Sequence, residues 1–132
     1  MNLNNKQGSP VPKSLNFFEA VHTCLKKYAD FSGRASKSEY WWWVLFEFLF
    51  VTFFYVFFAM IRISAQEHIG AIISIPFILL PGLAVGVRRL HDIGKSGWYI
   101  IPMILLSFVY GLGLLWTIIW FTQDSKPENN DY

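Results

Sequence analysis

Cysteine is almost absent from this sequence, because Cys24 is the only one among its 132 residues. A single thiol cannot form an internal disulfide, and it cannot build the clusters of cysteine ligands that hold structural zinc. The sequence therefore predicts a fold without covalent cross-links, which depends on packing and polar contacts.

Charged residues are also scarce. They make up 15% of the chain, against about a quarter of an ordinary soluble domain. Hydrophobic and aromatic residues reach 54% and 19%. The N-terminal region lacks an apolar stretch followed by a small-residue cleavage site, so we expect no cleavable signal peptide. The net charge of +2 says little about partners, and no nucleic-acid partner is expected.

The hydrophobic residues are concentrated in three long runs, at residues 40–61, 69–87 and 98–121. As helices these runs would span roughly 33, 28 and 36 Å, and the hydrocarbon core of a bilayer is about 30 Å thick. Core helices of soluble proteins usually keep a polar face. We therefore predict an all-α integral membrane protein in which three transmembrane helices form a single membrane domain, residues 14–132.

A cluster of charge separates the second run from the third, in the stretch RRLHDIGKSGWY at residues 88–99. Placing Arg88, Arg89 and Lys95 at the bilayer centre would cost on the order of 8–10 kcal/mol together. The stretch is therefore predicted to be a turn in water, with Trp98 at the membrane interface.

Polar or amphipathic segments flank the runs. Residues 1–13 are predicted to be a disordered tail, and residues 122–132 a polar C-terminal tail. Residues 14–28 are predicted to form a short amphipathic helix, since Asn16 and Glu19 have the spacing of a capping box. Its apolar positions recur at three and four residues: Phe18, Val21, Leu25 and Tyr28. We expect this helix to lie in the membrane interface; the alternatives are packing on the ends of the spans or on a soluble partner.

The lysines and arginines are unevenly distributed about the runs, which sets the predicted orientation. Most lie before the first run or between the second and third: Lys6, Lys13, Lys26, Lys27, Arg34, Lys37, Arg88, Arg89 and Lys95. Since positive residues stay in the cytoplasm, the N-terminus and the turn are predicted to be cytoplasmic and the C-terminal tail periplasmic. Splitting the third run at Gly111 and Gly113 gives pieces too short to span the bilayer, although a re-entrant hairpin stays open.

The charged turn contains two patterns that resemble catalytic or ligand-binding motifs. Gly94–Ser96 resembles the end of a phosphate-binding loop, but Arg89 occupies the position where that motif needs a glycine. His91 and Asp92 have neither a neighbouring nucleophile nor enough further ligands for a metal ion. No catalytic residue, metal site or cofactor is therefore predicted, and setting the membrane topology is the simplest role for the turn.

Glu47 is a carboxylate inside a predicted span. Charged groups are costly there, so such a residue is first considered as a functional one. A salt bridge to Arg88 or Arg89 is the favoured interpretation, with a proton or ion relay as the alternative. Gly82 and Gly86 form a pattern of small residues that lets helix backbones approach closely. The sequence leaves open whether these glycines contact another span or a second copy of the chain.

Two stretches, FSGRASKSEYWWW and RRLHDIGKSGWY, together resemble the domain-of-unknown-function 805 family of small bacterial inner-membrane proteins. The resemblance covers residues 25–132. It implies an inner-membrane location, a compact helical fold and an importance of the segments 33–35 and 88–92, but it attaches no activity. The chain departs from the family pattern near its C-terminus, where the residues DSKPE replace glycines.

The sequence supports three hypotheses about function. The first is a non-enzymatic membrane component whose cationic cytoplasmic face binds anionic lipid headgroups or a protein partner. That face is predicted to comprise Arg34, Glu39, Arg88, Arg89, His91, Asp92, Lys95 and Trp98. The alternative is a small oligomeric transporter or channel that uses Glu47, and a headgroup-modifying enzyme that uses His91 and Asp92 has the least support. A homo-oligomer is compatible with the first hypothesis as well.

Overall fold

The computed structural model describes residues 11–60, 69–110 and 112–126. Its helices are α1 (Phe17–Lys26), α2 (Lys37–Met60), α3 (Ile69–Asp92), α4 (Ile100–Tyr110) and α5 (Leu112–Phe121), with a 3₁₀ turn at Gly97–Tyr99 before α4. The described ranges contain no strand, so the predicted all-helical fold is confirmed. Most of the predicted N-terminal tail and the end of the C-terminal tail, residues 127–132, lie outside these ranges.

The two long helices, α2 and α3, have 24 residues each, which corresponds to about 36 Å of helix. Within the described residues, the part of α2 at Lys37–Phe58 is long and apolar enough to cross a bilayer. Helix α3 continues past residue 87, the predicted end of the second run, to Asp92. Arg88 and Arg89 therefore lie on the last turns of α3. Both are buried, so this part of the helix packs against other elements, whereas the sequence had predicted that it faces water.

The third run is not one continuous helix, so that prediction is wrong. Helices α4 and α5 pack against each other, and the rings of Tyr99 and Trp120 are 5.3 Å apart. Phe121, at the end of α5, packs with Leu90 and Ile93 at the end of α3. The start of α4 and the end of α5 therefore lie side by side, as in the hairpin alternative. With 11 and 10 residues, the two helices have lengths of about 16 and 15 Å, half the thickness of the hydrocarbon core.

Helix α1 begins at the predicted capping box, since Asn16 and Glu19 bond to each other's backbone N–H groups. Only part of the predicted apolar face packs inward, where Val21 contacts the buried cluster around Cys24. Ala20 and Cys24 are buried, whereas Phe18 and Leu25 are 82% and 50% exposed. The helix packs on α2 and α3, the arrangement that the sequence offered as an alternative to a helix lying in the interface.

Two glycines of α3, Gly82 and Gly86, allow close approach within one chain. A side chain at Gly82 would meet the carboxylate of Glu47 and come within 3.2 Å of the indole nitrogen of Trp43, both on α2. A side chain at Gly86 would lie 2.8 Å from the terminal methyl group of Ile100 on α4. These positions therefore seat α2 and α4 against α3, and a second copy of the chain is not needed to explain them.

We expect Gly82→Ala to lower the stability of the protein by about 1–3 kcal/mol, because its methyl group displaces the Glu47 carboxylate from Trp43. Glu47→Ala in the same chain removes the obstacle, so the double variant should lose less than the sum of the two single variants. Thermal unfolding in detergent measures both effects. Gly86→Ala is the matched control, because its side chain would meet Ile100 and its effect should not depend on Glu47→Ala. If Glu47→Ala leaves the loss of stability caused by Gly82→Ala unchanged, this packing is contradicted.

Candidate functional site

Five charged residues meet where α2 begins, α3 ends and the chain leaves α5: Arg34, Glu39, Arg88, Arg89 and Asp92, which we call the arginine cluster. Their side chains are at most 5% exposed. The sequence predicted that these groups line a cytoplasmic surface open to lipid phosphates. The structure corrects this, because the charges are paired with one another and covered by the surrounding helices.

Arg88 and Glu39 form one half of the arginine cluster. Their Nη2 and Oε1 atoms are 3.1 Å apart, and the thiol of Cys24 lies 3.9 Å from the same carboxylate oxygen. Glu39 sits in the first turn of α2, where the hydroxyl of Ser36 accepts a hydrogen bond from its backbone N–H. Nε and Nη1 of Arg88 have no hydrogen-bond partner among the described residues, so Glu39 is the charged contact of this guanidinium there.

Glu47 does not pair with either arginine, which makes the predicted salt bridge wrong. Its Oε1 accepts a hydrogen bond of 2.9 Å from the indole of Trp43, one turn away on α2. Glu39 lies eight residues before Glu47 on α2, about 12 Å closer along the helix axis to the end of α3. Arg88 therefore pairs with Glu39, and the next residue, Arg89, pairs with Asp92 on its own helix.

Arg89 joins the end of α3 to the end of α5. Its guanidinium pairs with Asp92 and donates to the backbone carbonyls of Phe121, at 3.3 Å, and Gln123. Asp92 also accepts a hydrogen bond from the hydroxyl of Ser125. The guanidinium remains a cation, because arginine does not lose its proton in proteins.

Arg34 ties the loop before α2 to the same carboxylate. Its Nε donates to Asp92 Oδ1 at 2.9 Å, and its Nη2 donates to the carbonyl of Lys126 at 2.8 Å. Gly33 precedes it with φ +76°, a left-handed conformation that glycine adopts without strain. Residues 122–126, which we call the C-terminal segment, therefore lie at the same end of the molecule as the loop before α2. The predicted position of this tail at the opposite end is wrong.

The remaining predicted site residues lie at the edge of the arginine cluster. Nδ1 of His91 is 3.2 Å from the carbonyl of Gly33, and the ammonium of Lys95 lies 5.2 Å from the ring centre of Trp120. Trp98 is 78% exposed. The part of the chain that the structure describes contains no group of three ligands suited to a metal ion.

Sequence reasoning missed two contributors to this site. Cys24 lies against Glu39, and burial together with that carboxylate raises the pKa of its thiol to about 12. The carbonyls of the C-terminal segment were missed as well, because backbone acceptors leave no residue signature. The arrangement works as a polar cross-link of four segments; its charges face each other, so it offers no exposed nucleophile or base.

The chain is similar to known inner membrane proteins. The sequence profile of the family described as "Protein of unknown function (DUF805)" matches residues 28–132. Inner membrane protein YhaH of Escherichia coli (strain K12) is 33% identical over 110 residues, which cover 82% of this chain and 88% of the relative. Inner membrane protein YhaI of the same strain is 32% identical over 108 residues, with coverages of 82% and 86%. No solved structure matches the chain. These matches show that the chain belongs to the DUF805 family.

Proposed function

We propose that the protein is a non-enzymatic, multi-pass component of the bacterial inner membrane whose cytoplasmic end binds anionic phospholipid. In this proposal α2 and α3 cross the bilayer, and the α4–α5 hairpin enters it from the cytoplasmic side and returns. The positive charge before α2 and at the end of α3 supports this orientation. The location is supported by the names of the two relatives.

The proposal rests on the contrast between buried and exposed cations. The buried arginines are paired with Glu39 and Asp92, so they are not available to a ligand. Among the described residues, the exposed cations are lysines: Lys13, Lys26, Lys37 and Lys126. Trp42 and Trp98 are exposed as well, and tryptophan is favoured at the depth of lipid headgroups. Exposed lysines together with exposed tryptophans are expected of a surface that binds anionic lipid.

The other two hypotheses have less support. Glu47, the carboxylate that a transporter would use, is bonded to Trp43 of its own helix and has no cation within ion-pair distance among the described residues. Asp92, which the enzyme hypothesis needs as an acid or base, is fully buried and paired with arginines. Neither arrangement provides a polar path or an accessible reactive group.

The test measures which phospholipids accompany the protein when it is extracted in mild detergent. Each lysine near an anionic surface contributes about 1 kcal/mol, so we expect co-purified lipid to be several-fold richer in anionic species than the whole membrane. Replacing the four exposed lysines by glutamine should abolish that enrichment. Lipid of the same composition as the membrane, or a stoichiometric protein partner without lipid enrichment, would contradict the proposal.

A further inference from the structure

A groove lies where Pro12 and Ser14, which precede α1, meet the start of α2. Its volume of about 490 Å³ is within the range of about 300–1,000 Å³ that holds small ligands. Its polar end is formed by Ser14, Ser36, Lys37 and Ser38. Its apolar end is formed by Trp42 and Leu45, further along α2. The distance along the helix axis from Lys37 to Leu45 is about 12 Å, so the groove runs from the membrane interface toward the hydrocarbon.

The serines at the polar end have a hydrogen to donate. The hydroxyl oxygens of Ser36 and Ser38 are 3.0 Å apart, so one hydroxyl donates to the other. Both oxygens also accept from the backbone, Ser36 from Glu39 N–H at 3.1 Å and Ser38 from Leu15 N–H at 2.8 Å. Each hydroxyl carries one hydrogen, so the second hydrogen has no acceptor among the described residues. An oxygen acceptor in the groove would complete this pair.

The charge at this end favours an anion. The ammonium of Lys37 is 3.2 Å from Asp124, but the lysine side chain is 47% and the aspartate 96% exposed, and exposed pairs of this kind are weak. Lys37 can therefore exchange this carboxylate for another anion. It is also the first residue of α2, where the helix dipole and the backbone N–H groups favour negative charge.

The apolar end has a fixed wall. The indole of Trp42 donates to the carbonyl of Leu15 at 3.1 Å, which holds the ring in place. Trp42 is 37% and Leu45 39% exposed. A free phosphate ion would make no contact with this wall, whereas the first carbons of an acyl chain would cover it.

We propose that this groove is a specific binding site for one anionic membrane phospholipid, with its phosphate at Ser36, Lys37 and Ser38 and its acyl chain against Trp42 and Leu45. The inference rests on the proposed function and goes further, since it replaces general attraction to a charged surface by one site with defined contacts.

The test is native mass spectrometry of the full chain in detergent, titrated with phosphatidylglycerol. Lys37→Gln removes a charge-assisted contact and should weaken binding about tenfold. Ser14→Phe keeps every charge but fills the groove, and it should weaken binding as strongly. Lys95→Gln removes the same charge from the same end of the molecule, outside the groove, and should change binding less than about twofold. Lys37→Gln and Ser14→Phe should keep the melting temperature of the wild type, and Lys95→Gln should lower it only slightly, because it loses the contact with the ring of Trp120.

Three results would overturn the site. Equal losses for Lys37→Gln and Lys95→Gln, or full binding by Ser14→Phe, would mean that lipid is held by diffuse charge; the proposed function would then stand without the groove. Binding of phosphatidylcholine as tight as that of phosphatidylglycerol would mean that the site does not select anionic lipid. Equally tight binding of glycerol phosphate would identify a soluble ligand, because the apolar wall would then contribute nothing.

Discussion

Arg89→Ala should cause one of the two largest losses of stability among single substitutions in this protein, about 3–5 kcal/mol. Removing the guanidinium leaves Asp92 buried with fewer partners, and it frees the carbonyls of Phe121 and Gln123 that hold the end of the hairpin. Arg89→Lys should not rescue the protein, because one ammonium group cannot reach a carboxylate and two carbonyls as a planar guanidinium does.

Thermal unfolding in detergent measures this loss, with Lys95→Ala as the matched control. Lys95 is a cation of the same stretch, but its ammonium lies over the ring face of Trp120 and should contribute about 0.5–1 kcal/mol. If Arg89→Ala melts at the same temperature as Lys95→Ala, the buried cross-link does not contribute as described.

Arg88→Ala should cause the second large loss of stability, because Arg88 also neutralises a buried carboxylate. It leaves Glu39 buried without its cation, at a cost of about 3–5 kcal/mol. Replacing both partners by methionine removes the unpaired charge and retains most of the volume. The double variant should therefore be close to the wild type in stability, or more stable.

Cys24 is a natural probe of this half of the arginine cluster, because its thiol is free and buried. Its thiol is buried and has a pKa raised to about 12, so iodoacetamide should not modify the native protein. Arg88→Ala should expose the thiol and make it reactive, whereas the double methionine variant should protect it again. A protected thiol and an unchanged melting temperature in Arg88→Ala would show that the ion pair is dispensable.

Composition and periodicity predicted the class of fold and most of the elements. Length and hydropathy found α2 and α3, and the spacing of Asn16 and Glu19 found the start of α1. These features are local, because each depends on residues within one helix. The pairing of segments across the molecule is not local, and there the predictions failed.

The third apolar run shows why. A run of this length has the same hydropathy whether it crosses the bilayer once or folds back as two half-length helices. The choice depends on contacts that hydropathy does not describe, such as the packing of Phe121 on Leu90 and the bonds from Arg89 to the C-terminal segment. The same limit applies to the arginines, since a count of positive charge does not distinguish a charge exposed to lipid from one buried against Glu39 or Asp92.

The central claim is that the chain returns after α4, so that the start and end of the third run share one end of the molecule. It is tested most directly by spin labels at Trp98→Cys and Thr122→Cys in a Cys24→Ser background, in lipid bilayers. Adjacent packed helices predict a separation within roughly 20 Å and strong dipolar broadening. A separation near 36 Å, the length of one continuous helix over this run, would contradict the account.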